Sequence, residues 1–404
     1  MRRHTKNRTW IFYYVGLAAI FRFRTFSGPP AFFHCQVMEN SVPCRSNPNR
    51  TQIMHPQNLS LLVTAILIGP IMAQEPPKPG PIRGDEPVAK AFSAELAGQA
   101  LDSASLHWTK QRKCGTCHTN YPYLLARPAL GGQPGASFAE VNTFFEQRVK
   151  NWDRGQKGDA PLWDTEVVAT AATLAMADSR QGKLRAETRQ ALDLMWTLQK
   201  PDGAWDWLKC GWPPVEHDDY FGAVYAMIGV SQAPEGYAQS PKARAGLEKL
   251  SAYLKKNPPA ELHHRAMLLW AATRLDGLMS ADEKAATLTR LREAQRPDGG
   301  WNLASLGRSW TGNDGRKPDL ASPSDAYATG LVVLVLREAG VQVADAAVVK
   351  GADWLLANQR QSGRWFTQSL NNDRHHYIAN AGSAYAVLAL EAAGKLKREV
   401  KAGE

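Results

Sequence analysis

Apolar positions recur at helical spacing almost without interruption from about residue 87 to the end of the chain. Apolar residues spaced three and four apart predict amphipathic helices, and the period-two alternation typical of strands is scarce. The intervening segments are mostly short and rich in Gly, Pro, Asn and Asp, which favours a repeat of helical hairpins. The pattern predicts an all-α chain with helices near 90–112, 138–152, 164–178, 185–199, 218–231, 241–256, 261–276, 281–295, 324–339, 344–358 and 379–394.

Three of the joints between these helices share one sequence pattern, Gln-x3-Gly-x-Trp. The copies span residues 199–205, 295–301 and 359–365, and each follows the end of a predicted helix. We expect the Gly to take a positive φ past the helix end. We expect the Gln amide to bond backbone groups at a neighbouring helix terminus, and the Trp to cover the joint and bury a large apolar area.

These joints resemble the QW repeat of squalene and oxidosqualene cyclases, a superfamily that includes the protein prenyltransferase β subunits. The resemblance implies a single-domain (α/α)6 toroid over residues 87–404, in which inner and outer helices surround an apolar central cavity. The chain is long enough for one such toroid, whereas a two-toroid squalene cyclase needs about twice that length. The QW motif is structural, so it implies a fold and says nothing about catalysis.

The first 86 residues divide into three segments. Residues 1–53 contain an apolar run too short to span a bilayer, and we expect a disordered extension or a mis-assigned start. Residues 54–73 begin at Met54 and carry an apolar stretch that ends at Ala73, which is typical of a secretory signal peptide. Residues 74–86 are Pro-rich and predict an extended linker. The chain is therefore expected in the periplasm or otherwise exported; the alternative, an uncleaved apolar helix, implies membrane association.

The net charge of +10 does not indicate nucleic-acid binding, because most of it lies before the helices. Residues 1–53 hold eight Lys or Arg and one Glu, and residues 54–73 hold no charged side chain. The rest of the chain therefore carries +3, which is typical of a solvated surface without a basic stripe.

Cys114-Gly-Thr-Cys117-His118 matches C-x-x-C-H, the attachment signature of haem c. In this motif the two thiols bond the haem vinyl groups, and we expect His118 to ligate the iron. Export agrees with this prediction, because haem c is attached outside the cytoplasm. A disulfide or a zinc site is the alternative, although zinc prefers further Cys or His ligands at matching spacing. The sixth iron ligand stays open among the remaining His and Met residues.

The segment Glu216-His217-Asp218-Asp219 follows the first Gln-x3-Gly-x-Trp joint. It resembles the D-x-D-D acid motif of squalene-hopene cyclases, with Glu216 in place of the first Asp. The resemblance implies that Asp218 donates a proton to a polyene, with Asp219 as its neighbour. His217 either orients a carboxylate or binds haem iron. The alternative is that these acidic residues cap a helix N-terminus, where the helix dipole favours negative charge.

Three functions of different class follow from these motifs. The first is a haem enzyme that performs redox chemistry on an apolar, isoprenoid-like small molecule in the toroid cavity, together with a redox partner. The second is a cyclase or isomerase that uses Asp218 as the proton donor. The third is a non-catalytic electron carrier or binding protein. A toroid fold alone does not choose between them, because one fold supports many functions.

Overall fold

The computed structural model describes residues 77–131, 135–152 and 160–396, which lie within one compact unit, Ile66–Glu404. This part of the chain is helical, and its extended pairing is confined to two isolated β-bridges, Val88 with Arg360 and Trp212 with Glu216. The helices are α1 Ala94–Arg112, α2 Asn120–Ala126, α3 Ala136–Asn151, α4 Leu162–Ser179, α5 Ala186–Leu198, α6 Asp219–Gln232, α7 Pro241–Lys256, α8 Leu262–Ala271, α9 Ala281–Glu293, α10 Leu303–Leu306, α11 Ala326–Glu338, α12 Ala346–Ala357 and α13 Ile378–Ala392.

All eleven helices that the apolar pattern predicts are present, and the all-α prediction is confirmed. Two short helices, α2 and α10, were not predicted. The pattern missed α2 because seven residues make only about two turns, and all seven are buried, so the segment is too short to show a helical period. Its third residue is Pro122, which the first turn of a helix tolerates.

Six helices form a closed inner ring, in which each contacts its two neighbours in the order α2, α4, α6, α8, α11, α13 and back to α2. The helices α1, α3, α5, α7, α9 and α12 pack outside this ring against inner helices or one another. The chain therefore forms the expected (α/α)6 toroid as a single domain.

The composition of the helices explains these two layers. Residues Ala326–Leu336 of α11 are all buried, because an inner helix meets protein on every side. By contrast α7 buries only Ala243, Gly246, Leu250 and Leu254, spaced three and four apart, and turns its Lys-rich face to water.

The three Gln-x3-Gly-x-Trp joints share one geometry. The glycines have φ of 98°, 91° and 86°, and each tryptophan is nearly fully buried, as expected. Each indole N–H donates to the carbonyl ten residues earlier, at 2.7–2.8 Å. Each Gln Nε2 donates to the carbonyl of the joint glycine and to a carbonyl near the start of another outer helix, at 2.8–3.0 Å.

The third joint closes the ring. Gln359 donates to Ser93 O at 2.9 Å and accepts from Ser93 N at 2.7 Å, which ties the end of α12 to the start of α1. The preceding extended segment also packs here, because Arg364 donates to the carbonyls of Gly80 and Pro81. The carbonyls of Pro77, Gly80 and Pro81 thus accept hydrogen bonds from toroid side chains.

The expected extension 1–53, the expected signal peptide 54–73 and the first residues of the expected linker lie outside the described residues. Within the described ranges, every helix is too short or too polar to cross a bilayer.

Candidate functional site

The residues at the starts of the inner helices contact one another, so these starts lie at one end of the toroid. His118, before α2, stacks on Tyr377 at the start of α13, with ring centroids 5.4 Å apart. The Asp218 carboxylate, at the start of α6, lies 3.8 Å from His264 in the first turn of α8. The predicted site residues Cys114, Cys117, His118 and Glu216–Asp219 all lie in the segments that lead into α2 and α6.

The Cys-x-x-Cys-His segment is a turn that Asn120 holds in place. Helix α1 ends at Arg112, and the capping residue Lys113 has a left-handed φ of 53°. Asn120 then accepts from Thr116 N at 2.8 Å and donates to Cys114 O at 3.0 Å. Cys114 and Cys117 carry free thiols and are partly exposed. The turn therefore presents both thiols just before α2.

The His118 ring is buried and oriented from one side. Its Nδ1 lies 2.8 Å from Thr119 Oγ1, which also accepts from Asn380 Nδ2 at 3.1 Å. Burial lowers the pKa of His118 to about 3, so the ring is neutral at neutral pH. In the tautomer whose Nδ1 donates to Thr119, the neutral imidazole has Nε2 free as a metal ligand, and the contact with Thr119 fixes the ring orientation.

Three aromatic side chains that the sequence analysis did not single out surround His118. Trp108 meets the imidazole edge at a centroid distance of 4.8 Å, Tyr377 stacks on it at 5.4 Å, and Trp212 lies at 6.0 Å. They come from α1, from the start of α13 and from the loop before α6. Their positions in the sequence are unrelated to the Cys-x-x-Cys-His motif, so no spacing could have identified them.

The donor set is compatible with haem c. A disulfide is not formed between Cys114 and Cys117, whose thiols are free. Across the described ranges, no three or more His, Cys, Asp or Glu side chains are arranged to hold a metal ion, as a structural zinc site requires. Two separate thiols and one neutral, oriented imidazole are the groups through which a chain holds haem c.

Glu216 is joined to the Cys-x-x-Cys-His turn through Trp212, whose ring meets the His118 ring at a centroid distance of 6.0 Å. Its backbone pairs with Trp212 through N–H···O bonds of 2.9 and 3.2 Å, which form a tight turn before α6. Burial raises the pKa of Glu216 to about 7. Burial also raises the pKa of Cys117 well above its ordinary value, and the nearby Glu216 carboxylate raises it further. The described structure thus brings Glu216 into the neighbourhood of the Cys-x-x-Cys-His turn.

The other three residues of the acidic segment have local partners. Asp218 is the N-cap of α6 and accepts from Phe221 N at 3.0 Å. Asp219 accepts from Trp207 N at 3.1 Å and from Lys209 Nζ at 2.9 Å. The His217 ring meets Trp310 at 6.1 Å. The capping role that the sequence left open for Asp218 is therefore present, and its role as a proton donor stays a prediction.

No family model and no curated protein matches this chain. Solved structures similar to it include a polysaccharide lyase (12% identity, TM-score 0.45, covering 76% of this chain and 99% of the lyase). They also include a possible GH105 family member from Klebsiella pneumoniae, which is 13% identical with a TM-score of 0.45. This match covers 82% of this chain and 98% of the other. A third is a type II terpene cyclase from Scytonema in complex with geranylgeranyl dihydroxybenzoate, which is 13% identical with a TM-score of 0.44. This match covers 75% of this chain and 98% of the cyclase. Similarity at this level carries no information about activity, and the toroid assignment rests on the contacts between the helices.

Proposed function

We propose that this chain is an exported redox enzyme that binds one haem c and acts on an apolar, isoprenoid-like small molecule. Cys114 and Cys117 hold the haem through thioether bonds, and His118 is an iron ligand. The observation that carries the proposal is the buried, neutral His118, oriented through Nδ1 beside two free thiols. Attachment outside the cytoplasm requires export, which the expected signal peptide at 54–73 supplies.

A haem held by Cys114, Cys117 and His118 would supply one-electron chemistry and the binding or activation of small molecules. The residues of the chain define its surroundings. Thr119 keeps Nδ1 of His118 engaged, and Trp108, Trp212 and Tyr377 limit access of water to the imidazole. Glu216, with a pKa of about 7, is able to hold or release a proton near the thiols at neutral pH.

The location of the motif favours an enzyme over an electron carrier. An electron carrier needs a haem near the surface and no enclosed apolar space. Here the Cys-x-x-Cys-His turn leads directly into an inner helix, and Cys117 packs against the hydrophobic core. Burial raises the pKa values of Tyr225, Tyr327 and Tyr385, and Cys117 contributes to the rise. These tyrosines belong to the inner helices α6, α11 and α13, so the motif borders the toroid interior.

The three matching joints also support a further proposal, that the chain is a single-toroid relative of the squalene-cyclase and prenyltransferase superfamily. The shared geometry of their Gln, Gly and Trp residues supports it. A shared scaffold of this kind does not determine the reaction, which depends on the residues of the site.

The ferric spin state of the haem-loaded chain tests the enzymatic proposal. We expect a five-coordinate, high-spin ferric haem whose reduced form binds carbon monoxide, because an enzyme of this kind keeps one axial position open. Optical and electron paramagnetic resonance spectra read this directly. A six-coordinate, low-spin haem that excludes carbon monoxide contradicts the proposal and supports an electron carrier.

Acid catalysis is a second candidate, and one observation favours it. Glu216 has a pKa of about 7, so a large share of it is protonated at neutral pH, as a general acid requires. On this candidate, cyclisation or isomerisation of a polyene proceeds without a redox partner. The activity is lost in Glu216→Gln if Glu216 donates the proton. It is lost in Asp218→Asn if Asp218 donates the proton, as the D-x-D-D resemblance implies. Turnover that depends on haem reduction contradicts acid catalysis.

A further inference from the structure

A second group of polar side chains lies at the same end of the toroid, between α6, α8 and the turn that follows α10. It consists of Tyr220, His263, His264 and Trp310, which we call the unpartnered cluster. Their rings touch: His263 and His264 are 5.2 Å apart, and Trp310 lies 5.3 Å from His263 and 5.8 Å from His264. Tyr220 lies 5.1 Å from His264.

Each member of the unpartnered cluster buries a polar atom that has no hydrogen-bond partner within the described structure. These atoms are Tyr220 Oη, His263 Nδ1, His264 Nε2 and Trp310 Nε1. All four residues are more than nine-tenths buried. Buried polar groups in folded proteins nearly always have partners, because leaving one unpaired costs roughly 1–3 kcal/mol. Because the rings that carry these four atoms touch one another, one small partner that the chain does not supply is able to bond more than one of them.

The charged groups around the cluster indicate the net charge of that partner. Burial lowers the pKa of both His263 and His264, so both rings are neutral at neutral pH. The Asp218 carboxylate lies 3.8 Å from His264 Nε2, and Glu261 also acts on His264. Two carboxylates disfavour an anion, and Arg265, which acts on Tyr220, disfavours a free cation. His217 is another titratable residue beside the cluster, and its ring faces Trp310.

The hydrogen-bonding capacity of the four side chains indicates the chemical class of the partner. The Trp310 indole can only donate, and the Tyr220 hydroxyl donates or accepts. The two neutral imidazole nitrogens donate or accept according to tautomer. Such a set suits an uncharged oxygen, as in an alcohol, a phenol or a ketone.

An aromatic wall connects the unpartnered cluster to the Cys-x-x-Cys-His turn. His263 Nε2 lies 3.1 Å from the Tyr327 hydroxyl, and Tyr327 meets Tyr385 at a centroid distance of 5.1 Å. The Phe221 ring stacks on the rings of His263 and Tyr225, at centroid distances of 6.2 and 5.7 Å. Burial raises the pKa values of Tyr225, Tyr327 and Tyr385, and Cys117 contributes to the rise, so the wall extends towards the side of the core that Cys117 packs against.

We propose that Tyr220, His264, His263 and Trp310 form a binding subsite for the uncharged hydroxyl or carbonyl group of a small molecule whose flat, apolar body lies along the aromatic wall. The binding itself does not depend on haem. Only the role of this molecule as the substrate rests on the proposed function. The subsite then places the oxygen of the ligand at one end of the wall and the Cys-x-x-Cys-His turn at the other.

Ligand-observed fluorine NMR with three matched probes tests the proposal. We expect para-fluorophenol to bind, fluorobenzene to bind at least about fivefold more weakly because it lacks the oxygen, and para-fluorobenzoate not to bind because it is an anion. Trp310→Phe and Tyr220→Phe each remove one polar group and keep a ring. Each is expected to weaken para-fluorophenol binding roughly two- to tenfold and to leave fluorobenzene binding unchanged.

Trp270→Phe is the matched control. Trp270 also buries an unpartnered indole N–H, but six residues beyond His264 on α8, about 9 Å along the helix axis. We expect this variant to bind para-fluorophenol as the parent does. Circular dichroism confirms that each variant is folded, and Tyr220→Phe serves if Trp310→Phe does not fold.

Three results overturn the subsite. They are no binding of para-fluorophenol, tighter binding of the anion, or equal losses in Trp270→Phe and Trp310→Phe. The first of these means that ordered water alone satisfies the four atoms. The same titrations on the Cys114→Ser/Cys117→Ser chain, which cannot attach haem c, keep failure of the subsite distinct from failure of the proposed haem.

Discussion

The glycine of the third joint shows how one residue type sets the spacing of two outer helices. Gly363 has φ of 86°, and a side-chain carbon at this position would overlap the carbonyl oxygen of Leu96 in α1. The glycine therefore meets two requirements at once, a left-handed backbone and a close approach of another helix. The sequence pattern predicted the first requirement from the position past a helix end. The second depends on which helix packs there, and the local sequence carries no signal of it.

Gly363→Ala is expected to destabilise the chain by roughly 2–5 kcal/mol, because strain at positive φ adds to an overlap with backbone that cannot move aside. Gly236→Ala is the control, since Gly236 has φ of 65° but an added methyl group there would meet no heavy atom within 4 Å. The control is expected to lose only about 1–2 kcal/mol. Urea unfolding measures both, and equal losses contradict the close approach at Gly363.

Glu216 gives the chain a pH dependence that can be measured. Burial raises the pKa of its carboxyl from 4.5 to about 7. The folded chain therefore binds more protons than the unfolded chain between about pH 4.5 and 7, and stability falls as the pH rises through that window.

Glu216→Gln removes this titration. We expect the variant to be more stable than the parent at about pH 8, by on the order of 1–3 kcal/mol, and close to it at about pH 4. Chemical unfolding at the two pH values tests this, with the exposed Glu248→Gln as the control. A difference between Glu216→Gln and the parent that is the same at both pH values contradicts a raised pKa.

At the scale of elements, the apolar pattern predicted every helix of twelve or more residues and the ten-residue α8, and it missed the two shortest helices, α2 with seven residues and α10 with four. Helix α2 completes the inner ring and begins two residues after His118. The motif Cys114-x-x-Cys117-His118 was therefore recognisable from the sequence, while its position at the start of an inner helix was not. Trp212 and Tyr377 reach His118 from distant segments, and only the ring of helices brings them to the side of Trp108, which lies on the preceding helix α1.

The joints differ in how many bonds the Gln side chain makes, and this difference predicts their contributions. Gln359 makes three hydrogen bonds, two of them to Ser93, whereas Gln199 and Gln295 each make two. We expect Gln359→Ala to cost roughly 2–4 kcal/mol and the other two alanine variants about 1–3 kcal/mol each. Urea midpoints measured on the three variants test this order. A smaller loss at Gln359 than at Gln199 contradicts its role in closing the ring.

At the scale of the whole molecule, the closed ring brings two chemically different sites to one end. The Cys-x-x-Cys-His turn lies between α1 and α2, and the unpartnered cluster lies on α6, α8 and the turn after α10. These segments are far apart in the sequence and share the aromatic wall only because α2 packs between α4 and α13. Sequence motifs identified the first site, whereas burial without hydrogen-bond partners, which only the fold reveals, identified the second.

The central claim is that the chain carries one covalent haem, and the intact mass of the purified full chain tests it most directly. The chain is expressed with and without a haem c maturation system, beside the Cys114→Ser/Cys117→Ser variant. We predict a mass increase of one haem that survives denaturation, requires the maturation system and disappears in the variant, together with a pyridine haemochrome spectrum of the c type. An unmodified mass under maturation conditions contradicts the claim and leaves acid catalysis as the function to test.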